Sequence, residues 1–212
     1  MKRIITIQHT QSEQHINKMI GSWTSWDLTE TGIQQAHAIG ENLAYELGNN
    51  PCLLFSSDLL RAKHTSEIIA KHLHTEPIFT EALREFYFGE AIGHSKAWAT
   101  EHLQCAVWPG TIDWPVNIHD APFVNAETKL NVWNRLSPFL EQILSLPEEN
   151  IILISHDGTF SLFFAMWLEL DVSILNKIHL SGKTGGVSFL QEDDMKHRTI
   201  LKLNDMSYLH TQ

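Results

Sequence analysis

Two histidines follow short, largely β-branched runs: Ile4-Ile5-Thr6-Ile7-Gln8-His9 near the start and Ile151-Ile152-Leu153-Ile154-Ser155-His156-Asp157-Gly158 far downstream. One imidazole can act as a nucleophile while a second stabilises developing negative charge, so such a pair suggests chemistry on an anionic group. Each run reads as a buried strand that stops at a polar segment. In an open α/β sheet ligands sit beyond the carboxyl ends of the strands, and two such ends can lie side by side. Two unrelated strand-end histidines remain the alternative on these segments alone.

The elements that must position them alternate. Behind the first strand, Thr31-Gly32-Ile33-Gln34 reads as a capping box for an amphipathic helix carrying Ala36, Ile39, Leu43 and Leu47. Pro51 introduces a short strand, Cys52-Leu53-Leu54-Phe55, and Ser56-Ser57-Asp58 is expected to cap a helix with Arg61 in its first turn. A helix is expected over about Ala126 to Leu146, and a second, apolar nearly all round, over Phe160 to Leu170. Late strands at Val187 to Leu190 and Thr199 to Leu203 would extend the sheet. This pattern predicts a three-layer α/β/α sandwich with a mainly parallel sheet, residues 1–212 forming one domain.

One stretch breaks the alternation, from about residue 91 to 125, with Trp98, Trp108, Trp114, Pro109, Pro115 and Pro122. An irregular segment of this length is expected to be a substrate-covering insertion, although each tryptophan alone could simply pack on the core.

Composition narrows the function classes. With 212 residues and 43% hydrophobic content the chain can bury one substantial core. A formal net charge of −10 argues against a nucleic-acid or anionic-membrane partner. Cys52 and Cys105 form no CxxC pair, which gives no sign of a disulfide framework or thiolate metal site and fits a reducing, cytoplasmic setting. The apolar run after Met1-Lys2-Arg3 is too short for an export signal. His72 and His74, two residues apart, do not share a helical face and are expected to be solvated.

Taken in order, the motifs resemble those of the histidine phosphatase superfamily, which includes the cofactor-dependent phosphoglycerate mutases. Gln8-His9-Thr10-Gln11-Ser12 sits where that family has Arg-His-Gly-Glu-Thr. Trp23 and Leu28-Thr29-Glu30-Thr31-Gly32 are similar to its Gly-Trp and Leu-Thr-x-x-Gly stretch, and Ser56 to Thr65 to its second-arginine motif. Leu83-Arg84-Glu85 with Phe88-Gly89 resembles the general-acid segment, Asn125-Ala126-Glu127 the Gly-Glu-Ser before its penultimate large helix, and Ser155-His156-Asp157-Gly158 the second-histidine motif. Asn204-Asp205-Met206-Ser207 resembles the closing motif.

The resemblance implies roles for these positions. His9 would attack phosphorus to give a phosphohistidine, Arg61 would grip phosphate oxygens, and a protonated His156 with the amide of Asp157 would neutralise charge in the transition state. Glu85 would protonate the leaving oxygen and then activate water. No metal or organic cofactor is implied. The partner would be a small phosphorylated substrate or inorganic phosphate, and a homodimer stays open.

The departures matter as much. Gln8 replaces the arginine beside the nucleophile, His15 falls at a phosphate-binding asparagine, and Lys18-Met19 lies across another arginine position. Removing one donor from a preorganised site costs roughly 10²–10³-fold in rate, so the site is either weak or rebuilt. Gln8, Ser12, His15 and Lys18 are the candidate substrate-binding residues of the rebuilt loop. Two readings follow: a phosphatase working through His9, or a catalytically weak or inactive relative that binds an anion or a partner protein. A mutase ranks below both, because residues 91 to 125 lack an evident mutase-type substrate loop.

Overall fold

The computed structural model describes residues 1–210. Six strands form one sheet: β1 (Lys2–Gln8), β2 (Cys52–Ser57), β3 (Pro77–Thr80), β4 (Asn150–Ser155), β5 (Val187–Glu192) and β6 (Arg198–Asp205), in the order β3-β2-β4-β1-β5-β6. The first four strands are parallel, and the late pair adds antiparallel strands at one edge.

The six helices are α1 (Glu13–Asn17), α2 (Glu30–Leu47), α3 (Leu60–Leu73), α4 (Lys96–Glu101), α5 (Lys129–Ser145) and α6 (Asp157–Trp167). Ile5, Ile7, Leu54, Ile152 and Ile154 point to one face, where α2 and α3 supply Ile39, Leu43 and Ile69. Ile4, Phe55, Ile151 and Leu153 point to the other, against Leu136 and Phe139 of α5 and Phe163 of α6. A sheet covered on both faces favours apolar side chains at successive strand positions, which is why β1 and β4 read as nearly continuous apolar runs, broken in β1 by the buried Thr6, and not as alternations. The three-layer sandwich is thus the architecture observed.

The middle of the sheet fixes the site. In the parallel β1/β4 pair Gln8 lies opposite Ser155, so the next residue of each strand, His9 and His156, emerges beside the other. His9 N–H donates to the Ser155 carbonyl (2.9 Å), carrying the ladder one step past the strand end.

Several boundaries differ from the sequence expectation. Helix α2 begins at Glu30 with Thr29 as its cap, whose Oγ1 accepts from Gly32 N–H (3.1 Å). The reason is tertiary: a Cβ on Gly32 would lie 1.9 Å from the Gln11 carbonyl oxygen, so the first turn is set against the loop after His9. Ser56, Ser57 and Asp58 do not occupy the α3 cap, which is Leu59; Asp58 instead takes both ends of the Arg84 guanidinium. Helix α5 starts at Lys129 because Thr128 and Asn131 form the capping box, and α6 starts at Asp157 with His156 as its cap. His74 is exposed, whereas His72 is only partly so: its ring packs on Gly40 of α2 and meets His37 (3.0 Å).

Residues 91–125 are mostly irregular but contain α4 and a bridge between Val107 and Pro115. The buried Lys129 ammonium pins this segment, donating to the carbonyls of Pro115 (2.6 Å) and Leu175 (2.7 Å) with Nζ over the Trp114 ring. Burial pushes that ammonium down to about 8. Cys52 and Cys105 are free thiols, and no helix among the described residues is long and apolar enough to cross a membrane.

Candidate active site

His9 and His156 meet with ring centroids 5.0 Å apart, and Arg61 lies between them. Its Nε–H donates to His9 Nε2 (3.1 Å), and Nη2 donates to Ser22 O (2.8 Å) and lies 3.1 Å from His156 Nδ1. A guanidinium has no lone pair to offer, so both facing ring nitrogens must be acceptors. Each imidazole is therefore neutral, with its proton on the far nitrogen: His9 Nδ1–H on Thr10 O (2.9 Å) and His156 Nε2–H on Ser57 Oγ (2.9 Å). Burial first, then the Arg61 charge, holds both rings well below the usual histidine range.

Arg61 itself is completely buried, and its Nη1 has no hydrogen-bond partner. No carboxylate among the described residues forms an ion pair with it; burial pushes the guanidinium down to about 10, with Glu85 acting in the opposite direction. Its position comes from the first turn of α3 and from Ser22, a residue with positive φ (45°) that turns its carbonyl toward Nη2. The Ser22 hydroxyl is itself tied to Phe86 O (2.7 Å) and Phe88 N (2.9 Å). A buried cation with an empty donor, facing two neutral imidazoles, is a site for an anion.

Glu85 approaches from the other side. Its Oε1 accepts from Phe86 N–H (3.0 Å), and Gly158 N lies 3.4 Å from Oε2 at the start of α6. That closeness requires glycine, since a Cβ on Gly158 would come within 2.7 Å of Oε1. Burial pushes the Glu85 carboxyl up to about 7, against the pull of the Phe86 amide. Its backbone is clamped: Trp23 Nε1 donates to Glu85 O (2.8 Å), and Arg135, paired with Glu127 (3.0 Å), donates to Arg84 O and Glu85 O. The Asn125-Ala126-Glu127 motif thus serves the acid loop.

The substrate-binding candidates scatter. Ser12 is fully buried and spent on His15, which caps α1 reciprocally through Nδ1 (3.0 Å to Ser12 N). His15 reaches the site with its ring 5.4 Å from His9, while its Nε2 meets Thr184 Oγ1 (3.1 Å). Lys18 is an exposed rim residue at positive φ. The Gln8 side chain lies at the 182–186 loop, its Oε1 3.1 Å from where a Gly182 Cβ would stand. The Asp157 side chain holds that loop, accepting from Ser181 Oγ (2.8 Å) and Gly182 N (2.5 Å). Over the assembly opens a cavity of about 480 Å³, with Arg61, Glu85 and Asp157 in its wall and Gly110 to Asp113 of the insertion along one side.

The tryptophans do not line it. Trp114 is a core residue stacked on His179 (3.8 Å), and Trp98 is sandwiched between His94 and His102. Ser22, Ser57, Asp113 and His179 are site residues that sequence reasoning missed. Among the described residues no cluster of three or more His, Cys, Asp or Glu side chains is arranged to hold a metal ion.

Residues 4–206 match the histidine phosphatase superfamily, branch 1. The chain belongs to that superfamily. Among its relatives, a Hydrogenobacter thermophilus protein provisionally named phosphoserine phosphatase 2 is 25% identical over 202 residues, 91% of this chain and 96% of its own. A 2,3-bisphosphoglycerate-dependent phosphoglycerate mutase of Rhizobium johnstonii is 31% identical over 190 residues, covering 84% and 82%. A mycobacterial glucosyl-3-phosphoglycerate phosphatase, solved with VO3, superposes with a TM-score of 0.81 at 22% identity, over 96% of this chain and 99% of that one.

Proposed function

We propose that this histidine phosphatase hydrolyses a small phosphorylated metabolite through a phosphohistidine on His9. The observation that carries the reading is Arg61: a wholly buried guanidinium with a free Nη1, bridging the two histidines and lacking any carboxylate partner.

On substrate binding the phosphate displaces His9 from Arg61 as acceptor of the Nε–H bond. His9 Nε2, neutral and with its ring oriented by Thr10 O, is then free to attack phosphorus. The bond from phosphorus to the leaving oxygen breaks, and Glu85, protonated below about pH 7, supplies the proton to that oxygen. The resulting Glu85 carboxylate then takes a proton from water as its oxygen attacks the phosphohistidine, which restores neutral His9 and releases phosphate. Arg61 stabilises the charge in both steps; His156, which faces Arg61 Nη2 as a neutral acceptor, adds to this by taking up a proton as the phosphate dianion binds beside it.

The relatives' names include a phosphatase and a mutase, and both activities would begin with phosphoryl transfer to this histidine. Water as the second acceptor is favoured by Asp113 and Asp157 in the cavity wall, which disfavour an acidic product held for a return transfer. A second reading, an anion-binding relative of low activity, is motivated by Gln8 in place of a charged clamp. Phosphate release from a panel of phosphomonoesters, with acid quenching to trap an acid-labile phosphoenzyme, separates the two. Release and trapping by the wild type but not by His9→Ala support hydrolysis; phosphate binding with equal background release from both proteins leaves the binding reading.

A further inference from the structure

The cavity is chemically divided. At its floor the fully buried Arg61 presents the unpartnered Nη1, which fixes the anionic end of a ligand. Another part of the lining is acidic, made by Asp113 from the insertion and Asp157 at the start of α6. The Asp157 oxygens are already engaged by Ser181 and Gly182, whereas the Asp113 carboxyl meets, among the described residues, only the backbone amides of Ile112 and Asp113; burial and then the Asp157 charge push it above the usual carboxylate range, a penalty that a cation beside it would relieve. Beside them His179 stacks on Trp114, its Nε2 buried without a hydrogen-bond partner and 3.7 Å from Asp157.

This wall lies where the leaving group must go. Glu85, the acid for the leaving oxygen, feels the charges of both Asp157 and Asp113, so the three carboxyls face one space. The two lysines of the cavity, Lys18 and Lys96, are exposed rim residues; Lys96 pulls the half-buried Asp113 carboxyl down, but less than burial and Asp157 push it up. A carboxylate or second phosphate on the alcohol would be repelled at this wall, and an ammonium would be paired.

We propose that Asp113 recognises an ammonium group on the alcohol half of the substrate, which makes phosphomonoesters of amino alcohols the preferred class. The proposal rests on the phosphatase reading for turnover, but the recognition can be measured without it. The test compares phosphoethanolamine, glycerol 3-phosphate and 3-phosphoglycerate by kcat/KM on the wild type and by calorimetric binding to His9→Ala, which cannot turn over. Phosphoethanolamine is expected to lead glycerol 3-phosphate by about tenfold or more in both measurements, with 3-phosphoglycerate last. Asp113→Asn brings the first ratio close to one, and Asp113→Lys moves 3-phosphoglycerate ahead of phosphoethanolamine, a gain that misfolding could not produce. Equal binding of phosphoethanolamine and glycerol 3-phosphate, or an undiminished preference in Asp113→Asn, overturns the proposal. Amine-selective binding with no hydrolysis of any ester would instead overturn the phosphatase reading and leave ammonium recognition standing.

Discussion

Arg61 donates its Nε–H to His9 Nε2 across 3.1 Å, so the lone pair needed for attack is occupied by the side chain best placed to hold phosphate. Anion binding therefore does two things at once, pairing a buried guanidinium and freeing the nucleophile. A ligand that binds only the folded state at a hundred times its dissociation constant adds about 2.7 kcal/mol of stability. For a domain of this size that is a rise of roughly 5–10 °C in Tm. Inorganic phosphate or vanadate is expected to produce such a shift in the wild type and none in Arg61→Met, as read by scanning calorimetry. The comparison is each protein's own ligand-dependent increment, so a lower starting Tm in the variant does not obscure it. A full increment in Arg61→Met would remove Arg61 from the anion site.

Glu85 sets the pH dependence. Its carboxyl is raised from the ordinary 4.5 to about 7, so it is mainly protonated, and able to donate, below that value. Phosphoryl transfer should fall as pH rises through 7. Glu85→Gln should lose that limb and about 10²–10⁴-fold in rate. Stability follows the same sign. A carboxyl with a raised folded-state value contributes stability that is fully present below the unfolded value and declines as pH climbs from about 4.5 to 7. Urea denaturation across that window should show a steeper decline for the wild type than for Glu85→Gln. Equal pH slopes would mean that Glu85 is not held protonated.

Legibility divides by the kind of contact that specifies each feature. The runs before His9 and His156 were readable as buried strands, but on those segments alone their adjacency stayed open; the parallel register that sets Gln8 opposite Ser155 decides it. Arg61 and Glu85 were marked by motif order. Ser22, Asp113 and His179 carried no local signal: each acquires its role from a partner distant in the chain, Arg61, the cavity and Trp114 respectively. The cap of α2 was misplaced for the same reason, since only the approach of Gln11 to Gly32 selects Thr29 over Thr31. Ser12 was a candidate through its place in the loop that matches the family's first motif, yet its hydroxyl meets His15 Nδ1.

Gly158 offers a way to displace the acid without removing it. A methyl group there would sit 2.7 Å from Glu85 Oε1, so Gly158→Ala must push the carboxyl off the α6 terminus. The same methyl would lie 2.9 Å from the ring of the buried Phe86, so Tm is read alongside to separate lost packing from a displaced acid. Hydrolysis of alkyl phosphates, which need a protonated leaving oxygen, should fall at least tenfold, whereas p-nitrophenyl phosphate, with its better leaving group, should fall much less. Parallel losses on both substrates would place the defect outside proton donation.

Gln8 is the final test of whether the site has been weakened or rebuilt. Its backbone is locked between Gly185 and Gly186, so a substitution changes the side chain without moving the strand end. The amide lies by Gly182 and contributes no charge to a pocket in which Arg61 is the buried cation beside His9. An arginine there would add a rigid fork of donors that matches phosphate geometry. If the remaining machinery is intact, Gln8→Arg should raise kcat/KM by about tenfold or more, within the 10²–10³ that one oxyanion donor is worth. The rebuilt alternative gives the opposite pattern. His15, with its ring 5.4 Å from His9 and its Nε2 on Thr184, would already supply the missing donor. Gln8→Arg would then bring no gain, and His15→Ala would abolish the native turnover.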